Sequence, residues 1–418
     1  SSEKPSIVIA PTSLVYNWEE EVKKFTKDLR VAVISGTVNE RQQQLIEIKD
    51  ADLVVTSYAL IKRDIELYEN IEFSHCFLDE AQYIKNPGTL NAQTVKRLKA
   101  RNYFALTGTP IENSLTELWS IFDFLMPGYL FSHNKFNQIY ETPIVKKNDS
   151  EALKGLARHI SPFILRRMKK DVLKELPEKT EIRVSCTMEE NQKKAYMAYL
   201  LKAKNIFEAE VNENGFEKSQ IKILALLTRL RQICCHPSLF IENYNGGSGK
   251  VELFFDLING AIEGGHRILV FSQFTSMLAI IKQELDAQKE GYFYLDGNTD
   301  PQLRIKMVSA FNKGENNLFL LSLKAGGTGL NLTGADTVIH LDPWWNPAVE
   351  DQATDRAYRI GQKNAVSVYK LVTKGTIEEK IYGLQERKKE LINSIIKPGE
   401  NFLTKMSFEE VKSLFETE

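Results

Sequence analysis

The chain has 418 residues, 43% of them hydrophobic and 26% charged, which is enough for two full cores, and its 54 Lys and Arg against 55 Asp and Glu leave a net charge of −1. That balance excludes a global basic field, so any nucleic-acid site must be a local stripe. Cys76, Cys186, Cys234 and Cys235 form no C-x-x-C pair and have no histidine at metal-ligand spacing, and no run approaches the roughly 18 apolar residues of a membrane span; we expect reduced thiols, no structural zinc and no membrane in an intracellular protein.

Short β-rich runs alternate with amphipathic stretches in two blocks. The first comprises Ser6–Ala10, Val31–Ile34, Leu53–Ser57, Cys76–Leu78 and Tyr103–Leu106. The second comprises Ile268–Phe271, Tyr292–Leu295, Leu318–Leu321, Val338–Leu341 and Val366–Leu371. This spacing predicts two parallel sheets covered by helices. Between the blocks, helical periodicity takes over: Asn191 to Ala209 reads as one long helix, and Ile221, Leu224, Ala225 and Thr228 line a face of another. The run Asn243-Tyr244-Asn245-Gly246-Gly247-Ser248-Gly249 reads as a flexible breaker that opens the second lobe. The expected division is therefore a first lobe over 1–125, a helical insertion and linker over 126–248, a second lobe over 249–396 and a tail helix over 397–418.

Two segments carry chemistry. An Asp-Glu pair alone is usually a solvated turn, but Asp79-Glu80 follows an apolar strand and leads into Ala81-Gln82. Adjacent carboxylates at a strand end can offer Asp79 to a nucleotide-bound magnesium and Glu80 to an attacking water. Further on, Leu106-Thr107-Gly108-Thr109-Pro110-Ile111-Glu112-Asn113 ends a strand in small hydroxyl and glycine residues that suit relay of a nucleotide state. The second segment runs from Gln352 through Arg356 and Arg359 to Ile360-Gly361-Gln362. As a helix it would put Gln352 and both guanidiniums on one face, at i, i+4 and i+7, where planar forks match the oxygens of a transferring phosphoryl group. A surface salt bridge is the bland alternative for either arginine. The basic run Arg166-Arg167-Met168-Lys169-Lys170 is equally compatible with phosphate contact and with a strut joining the lobes.

At these residues the sequence resembles the SWI/SNF family of helicase-like ATPases in helicase superfamily two. Ile9-Ala10-Pro11-Thr12-Ser13-Leu14-Val15-Tyr16-Asn17-Trp18 is similar to motif Ia, Asp79–Gln82 to motif II, Leu106–Asn113 to motif III and Ile268–Phe274 to motif IV. Leu323–Leu332 is similar to motif V, and Asp342-Pro343-Trp344-Trp345-Asn346-Pro347 with Gln352–Gln362 to the tryptophan segment and motif VI. The resemblance implies two RecA-like lobes with a helical insertion, ATP and magnesium as cofactors, and movement along double-stranded DNA that remodels DNA-bound proteins. It further implies nucleotide contacts from Gln82, Gln352 and Gly327. DNA contacts would come from Ser13, Asn17, Trp18, Lys324, Gly326, Gly329 and Trp345, although Trp345 could equally be a core aromatic. The G-x-x-x-x-G-K-[ST] phosphate loop should precede motif Ia, and the sequence begins after it, so we expect an N-terminally truncated first lobe and negligible turnover by these residues alone. Gly246-Gly247-Ser248-Gly249-Lys250-Val251 is a superficial candidate with Val251 where a hydroxyl is required, and is read as a linker. A strand-separating DNA or RNA helicase and a non-catalytic DNA-binding or protein-docking module are the rival functions. A bacterial member would sit in the cytoplasm or nucleoid, a eukaryotic one in the nucleus.

Overall fold

The computed structural model describes residues 4–108, 114–147, 149–165, 176–323, 329–394 and 408–416. By internal contacts the chain forms two units, Ser1–Val172 with Pro398–Glu400 and Leu173–Lys397 with Asn401–Glu418.

Unit one is built on a parallel sheet of β1 (Ser6–Ala10), β2 (Val31–Val33), β3 (Leu53–Ser57), β4 (Glu72–Leu78) and β5 (Lys99–Ala105), in the order β2-β3-β1-β4-β5. Successive residues of a strand face opposite sides. Ile7 and Ile9 of β1 accordingly enter one core with Val54, Phe73 and Leu78, while Val8 and Ala10 enter another with Leu14, Val15 and Val55. Such two-sided burial explains why Ile7-Val8-Ile9-Ala10 of β1 and Leu53-Val54-Val55 of β3 read as apolar runs rather than as alternation. After β1 a short turn, Thr12–Leu14, leads into helix α1 (Val15–Phe25). A separate helical cluster, in which Leu115, Leu118, Phe122, Phe136 and Leu156 pack together, completes the unit.

Unit two carries a parallel sheet of β6 (Lys179–Cys186), β7 (Ile268–Ser272), β8 (Tyr292–Leu295), β9 (Leu318–Ser322), β10 (Thr337–His340) and β11 (Val366–Thr373), ordered β6-β11-β10-β7-β9-β8. Leu269 and Phe271 pack on one face and Ile268 and Val270 on the other. The stretch 126–248, read as helical, also contains a strand. β6 lies in the stretch read as helical insertion, yet it pairs along its whole length with β11, Lys179 opposite Val366 and Cys186 opposite Thr373. It was missed because an edge strand needs no apolar face on both sides; Lys179, Glu181 and Arg183 sit among its mostly exposed positions.

In chain order β6 is followed by helices α2 (Glu190–Asn214) and α3 (Phe216–Cys235), which form a hairpin. Its inner face is Tyr196, Leu200, Ala203 and Phe207 against Ile223, Leu227 and Leu230. Ile221, Leu224 and Ala225, the predicted face, point outward instead. The breaker before α4 (Gly249–Glu263) is also pinned rather than loose. Gly247 N–H donates to Glu189 at 3.1 Å, Ser248 Oγ to the Cys235 carbonyl at 2.6 Å, and Gly249 N–H to Gln192 at 3.2 Å. A Cβ on Gly249 would stand 1.9 Å from the Thr187 carbonyl oxygen, so only glycine permits this approach. Lys250 is fully enclosed, with Nζ 2.7 Å and 2.5 Å from the two carboxylate oxygens of Glu378 in α6 (Ile377–Ser394), after α5 (Pro347–Thr354). Held there, its ammonium cannot serve a nucleotide, consistent with the reading that this glycine run is no phosphate loop.

Candidate functional site

In unit one, the backbone ladder runs one residue past β4. Asp79 N–H donates to the Ile9 carbonyl at 2.8 Å, so the Asp79 carboxylate emerges at the C-terminal end of the sheet, where open α/β folds bind ligands. Glu80 then adopts φ 50 and ψ 55, a left-handed conformation that costs a non-glycine residue about 1 kcal/mol or more. Several contacts enforce it. Ala81 N–H donates to the Leu106 carbonyl at 2.9 Å, and the Tyr58 hydroxyl donates to the Asp79 carbonyl at 2.9 Å. Tyr58 also stacks on Tyr83 with ring centroids 5.1 Å apart. Burial, reinforced by the Asp79 charge, pushes the Tyr58 phenol well above its ordinary range and keeps it a neutral donor.

The side chains form a relay. Thr107 Oγ1 donates to Gln82 Oε1 at 2.8 Å, and Gln82 Nε2 donates to Glu80 Oε2 at 2.6 Å. The third motif is thereby tied to the carboxylate of the second through one amide. Asp79 Oδ1 accepts from Glu80 N–H at 2.9 Å and Oδ2 from the Trp18 indole N–H at 2.8 Å. A carboxylate has about four lone-pair sites, so each oxygen keeps one for a magnesium-bound water, and a half-buried hard oxygen donor of this kind fits that ion. Ser13 and Asn17 lie half-buried in the turn and helix that also carry Trp18. The Trp18 contact was not legible beforehand, since the two residues are 61 apart in sequence.

In unit two, the continuous helix expected over Gln352–Arg359 is corrected. α5 ends at Thr354, and the chain descends through tight turns in which Arg356 N–H donates to Ala353 and Tyr358 N–H to Thr354, each at 3.1 Å. The single face at i, i+4 and i+7 is therefore not formed: Gln352 stays on the helix, Arg356 is buried and Arg359 is exposed. Gln362 pins the turns that follow the helix. Its amide nitrogen donates to the carbonyls of Ala335 at 2.6 Å and Ala357 at 3.1 Å, and its oxygen accepts from Lys363 N–H at 2.8 Å and Asn364 N–H at 2.9 Å. Gly361, at φ 100, supplies the left-handed turn that brings Gln362 into this position. Leu332 N–H donates to the Arg356 carbonyl at 3.0 Å, so the strand-exit loop containing Gly329 is joined to the arginine turn. Lys324, Gly326, Gly327, Thr109–Asn113 and Arg166–Lys170 lie outside the described residues.

Trp345 is 8% exposed and packs with Tyr196, Leu230 and Ile381, as the core-aromatic alternative has it. Its segment is gripped by groups that the sequence did not single out. The buried Arg231 guanidinium from α3 donates to the Pro343 carbonyl, lies 3.6 Å from Asp342, and sits 5.3 Å from the Trp345 ring centre. Glu350 accepts from Trp344 N–H at 2.5 Å and from Gln385 at 2.9 Å.

Burial pushes the Asp342 carboxyl from its ordinary 3.8 up to about 6, against the opposing pull of Arg231 and the Ser272 hydroxyl. The folded protein thus holds this proton more tightly than the unfolded chain. Stability from the group is full below about pH 4 and is lost as pH rises through about 6. The unfolding free energy of the native chain relative to Asp342→Asn should therefore fall between about pH 4 and 6 and level off above; a difference constant across that window would contradict this account.

A family model described as the SNF2-related domain matches residues 1–239, and one described as the Helicase conserved C-terminal domain matches residues 249–361. The chain is similar to the putative ATP-dependent helicase/translocase YwqA of Bacillus subtilis, 41% identical over 98% of this chain and 45% of that protein. It is 34% identical to the TATA-binding protein-associated factor MOT1 of Saccharomyces cerevisiae, over 99% of this chain and 25% of that protein. The chain thus spans less than half the length of these curated relatives. Among solved structures, the Sulfolobus solfataricus SWI2/SNF2 ATPase core in complex with double-stranded DNA matches at 39% identity and a TM-score of 0.50, covering 100% of this chain and 87% of that one.

Proposed function

The chain belongs to the SNF2 family of helicase superfamily two, and from that premise we propose that it is the motor portion of an ATP-dependent translocase that tracks along double-stranded DNA. The observation that carries the reading is the relay Thr107–Gln82–Glu80 beside Asp79 at the C-terminal end of a parallel sheet. Glu80 orients the attacking water and receives its proton, and the strained backbone at Glu80 aims that carboxylate. Asp79 would hold a nucleotide-bound magnesium ion, which would neutralise charge on the phosphate oxygens. Gln82 and Gln352 belong to the nucleotide side, with Gly327. Arg356 and Arg359 supply guanidiniums to the transferring phosphoryl group.

Ser13, Asn17 and Gly329, with Lys324 and Gly326, contact the sugar-phosphate backbone, which positions the motor without reading sequence. The solved relative bound to double-stranded DNA supports a duplex as the track, and the TATA-binding protein-associated relatives support a DNA-bound protein as what is displaced. Turnover also needs a phosphate cradle, and these 418 residues contain no G-x-x-x-x-G-K-[ST] loop. Steady-state ATP hydrolysis with and without duplex DNA, for this chain beside a protein carrying the same residues behind such a loop, tests the proposal. DNA-stimulated activity in the loop-bearing protein alone is the expected result. Activity in neither would favour the docking-module function, and greater stimulation by single strands or RNA than by duplex would favour a strand-separating helicase.

A further inference from the structure

Trp18 was expected at the DNA, yet its indole N–H points to the carboxylate assigned to magnesium, 2.8 Å from Asp79 Oδ2. The ring does not depend on that bond for its position. It packs against the cluster of Val8, Ala10, Leu14, Val15 and Val55, alongside Val22 and Phe77, so the donor is held in place by apolar contacts. An indole N–H can only donate, and a half-buried one pairs with whatever acceptor its packing faces. The connection is short and stiff. β1 ends at Ala10, the turn Thr12–Leu14 follows, and α1 presents Trp18 one turn after Leu14. The same strand grips Asp79 from the other side through the Ile9 carbonyl.

We propose that Trp18 is a positioning residue: it fixes the Asp79 carboxylate for the magnesium-bound nucleotide and mechanically joins that carboxylate to the duplex-contacting segment that holds Ser13 and Asn17. This inference rests on the proposed function and extends it, since a shift of α1 on DNA would lengthen or shorten one hydrogen bond at the magnesium carboxylate. It gives contact with the phosphate backbone a route to the nucleotide side that lies wholly within unit one.

Two measurements test it. The chain has four tryptophans, so an indole ¹⁵N–¹H spectrum of the full chain holds four side-chain signals, and Trp18→Phe identifies one of them by its loss. Asp79→Asn, which leaves all four indoles in place, should move that same signal upfield while the other three stay put; an unmoved Trp18 signal overturns the proposal. Should Trp18→Phe fail to fold, the Asp79→Asn spectrum still decides, because one indole must shift and three must not. In the loop-bearing protein, Trp18→Phe should raise the magnesium concentration for half-maximal ATP turnover by roughly 10-fold, the scale of losing one hydrogen bond to a charged group, with little change in KM for ATP at saturating magnesium. An unchanged magnesium requirement would also overturn it. If the native loop-bearing protein shows no turnover, the proposed function has failed, and the indole spectrum still reports the Trp18–Asp79 pairing separately.

Discussion

Lys250→Met should destabilise unit two by roughly 3–5 kcal/mol, the usual penalty for stranding the partner of a buried ion pair. Both side chains are 0% exposed, and Glu378 spends its two oxygens on Lys250 and on the Thr373 N–H at 2.9 Å. Removing the ammonium leaves a carboxylate with no water to solvate it and one backbone donor to hold it. Replacing both partners together, Lys250→Met with Glu378→Leu, should recover most of the loss, because the desolvation cost leaves with the charges. Urea unfolding of the native chain, each single variant and the double variant gives the coupling; strictly additive effects would mean that the pair does not act as a unit.

The second large effect is on chemistry. In the loop-bearing protein, Arg359→Ala should lower ATP turnover by roughly 10³–10⁵-fold, the range seen when a guanidinium is removed from a phosphoryl-transfer site. Arg359 is exposed on the turn after α5, so its truncation should leave unfolding within about 0.5 kcal/mol of native. Arg356→Ala should reduce turnover similarly but also lower stability, since that side chain is only 7% exposed. Equal turnover by Arg359→Ala and native protein would remove Arg359 from the mechanism. Arg359→Lys separates charge from geometry: an ammonium keeps the charge but loses the planar fork, and full rescue by lysine would argue against a bidentate role.

Much of this was legible in the sequence because the central strands announce themselves. β3, β7 and β9 are buried at every position, and a run with no polar face has few alternatives. Asp79, Glu80 and Gln82 were found for a related reason, as they follow such a strand directly. What escaped depends on distant partners. β6 reads as polar until β11 is beside it, and the helical periodicity from Gln352 onward gives no hint that the helix stops at Thr354 and that the Gln362 amide then captures two carbonyls. Trp345 was balanced between groove and core until Arg231 supplied a buried cation against its ring. The bond from Trp18 to Asp79 went unread, because a hydrogen bond between residues 61 apart is a fact of tertiary packing rather than of local pattern.

The pairing of β6 with β11 also sets an order of events during synthesis. Cys186 and Thr373 lie side by side although 187 residues separate them along the chain. A contact so remote closes a large loop before it gains anything, which slows folding relative to local pairing. At a ribosomal rate of about 5–20 residues per second, β6 waits roughly 10–40 s for its neighbour β11 to be made. Through that interval its backbone donors and acceptors are open to other chains, and its Lys179, Glu181 and Arg183 serve as gatekeepers that discourage such pairing.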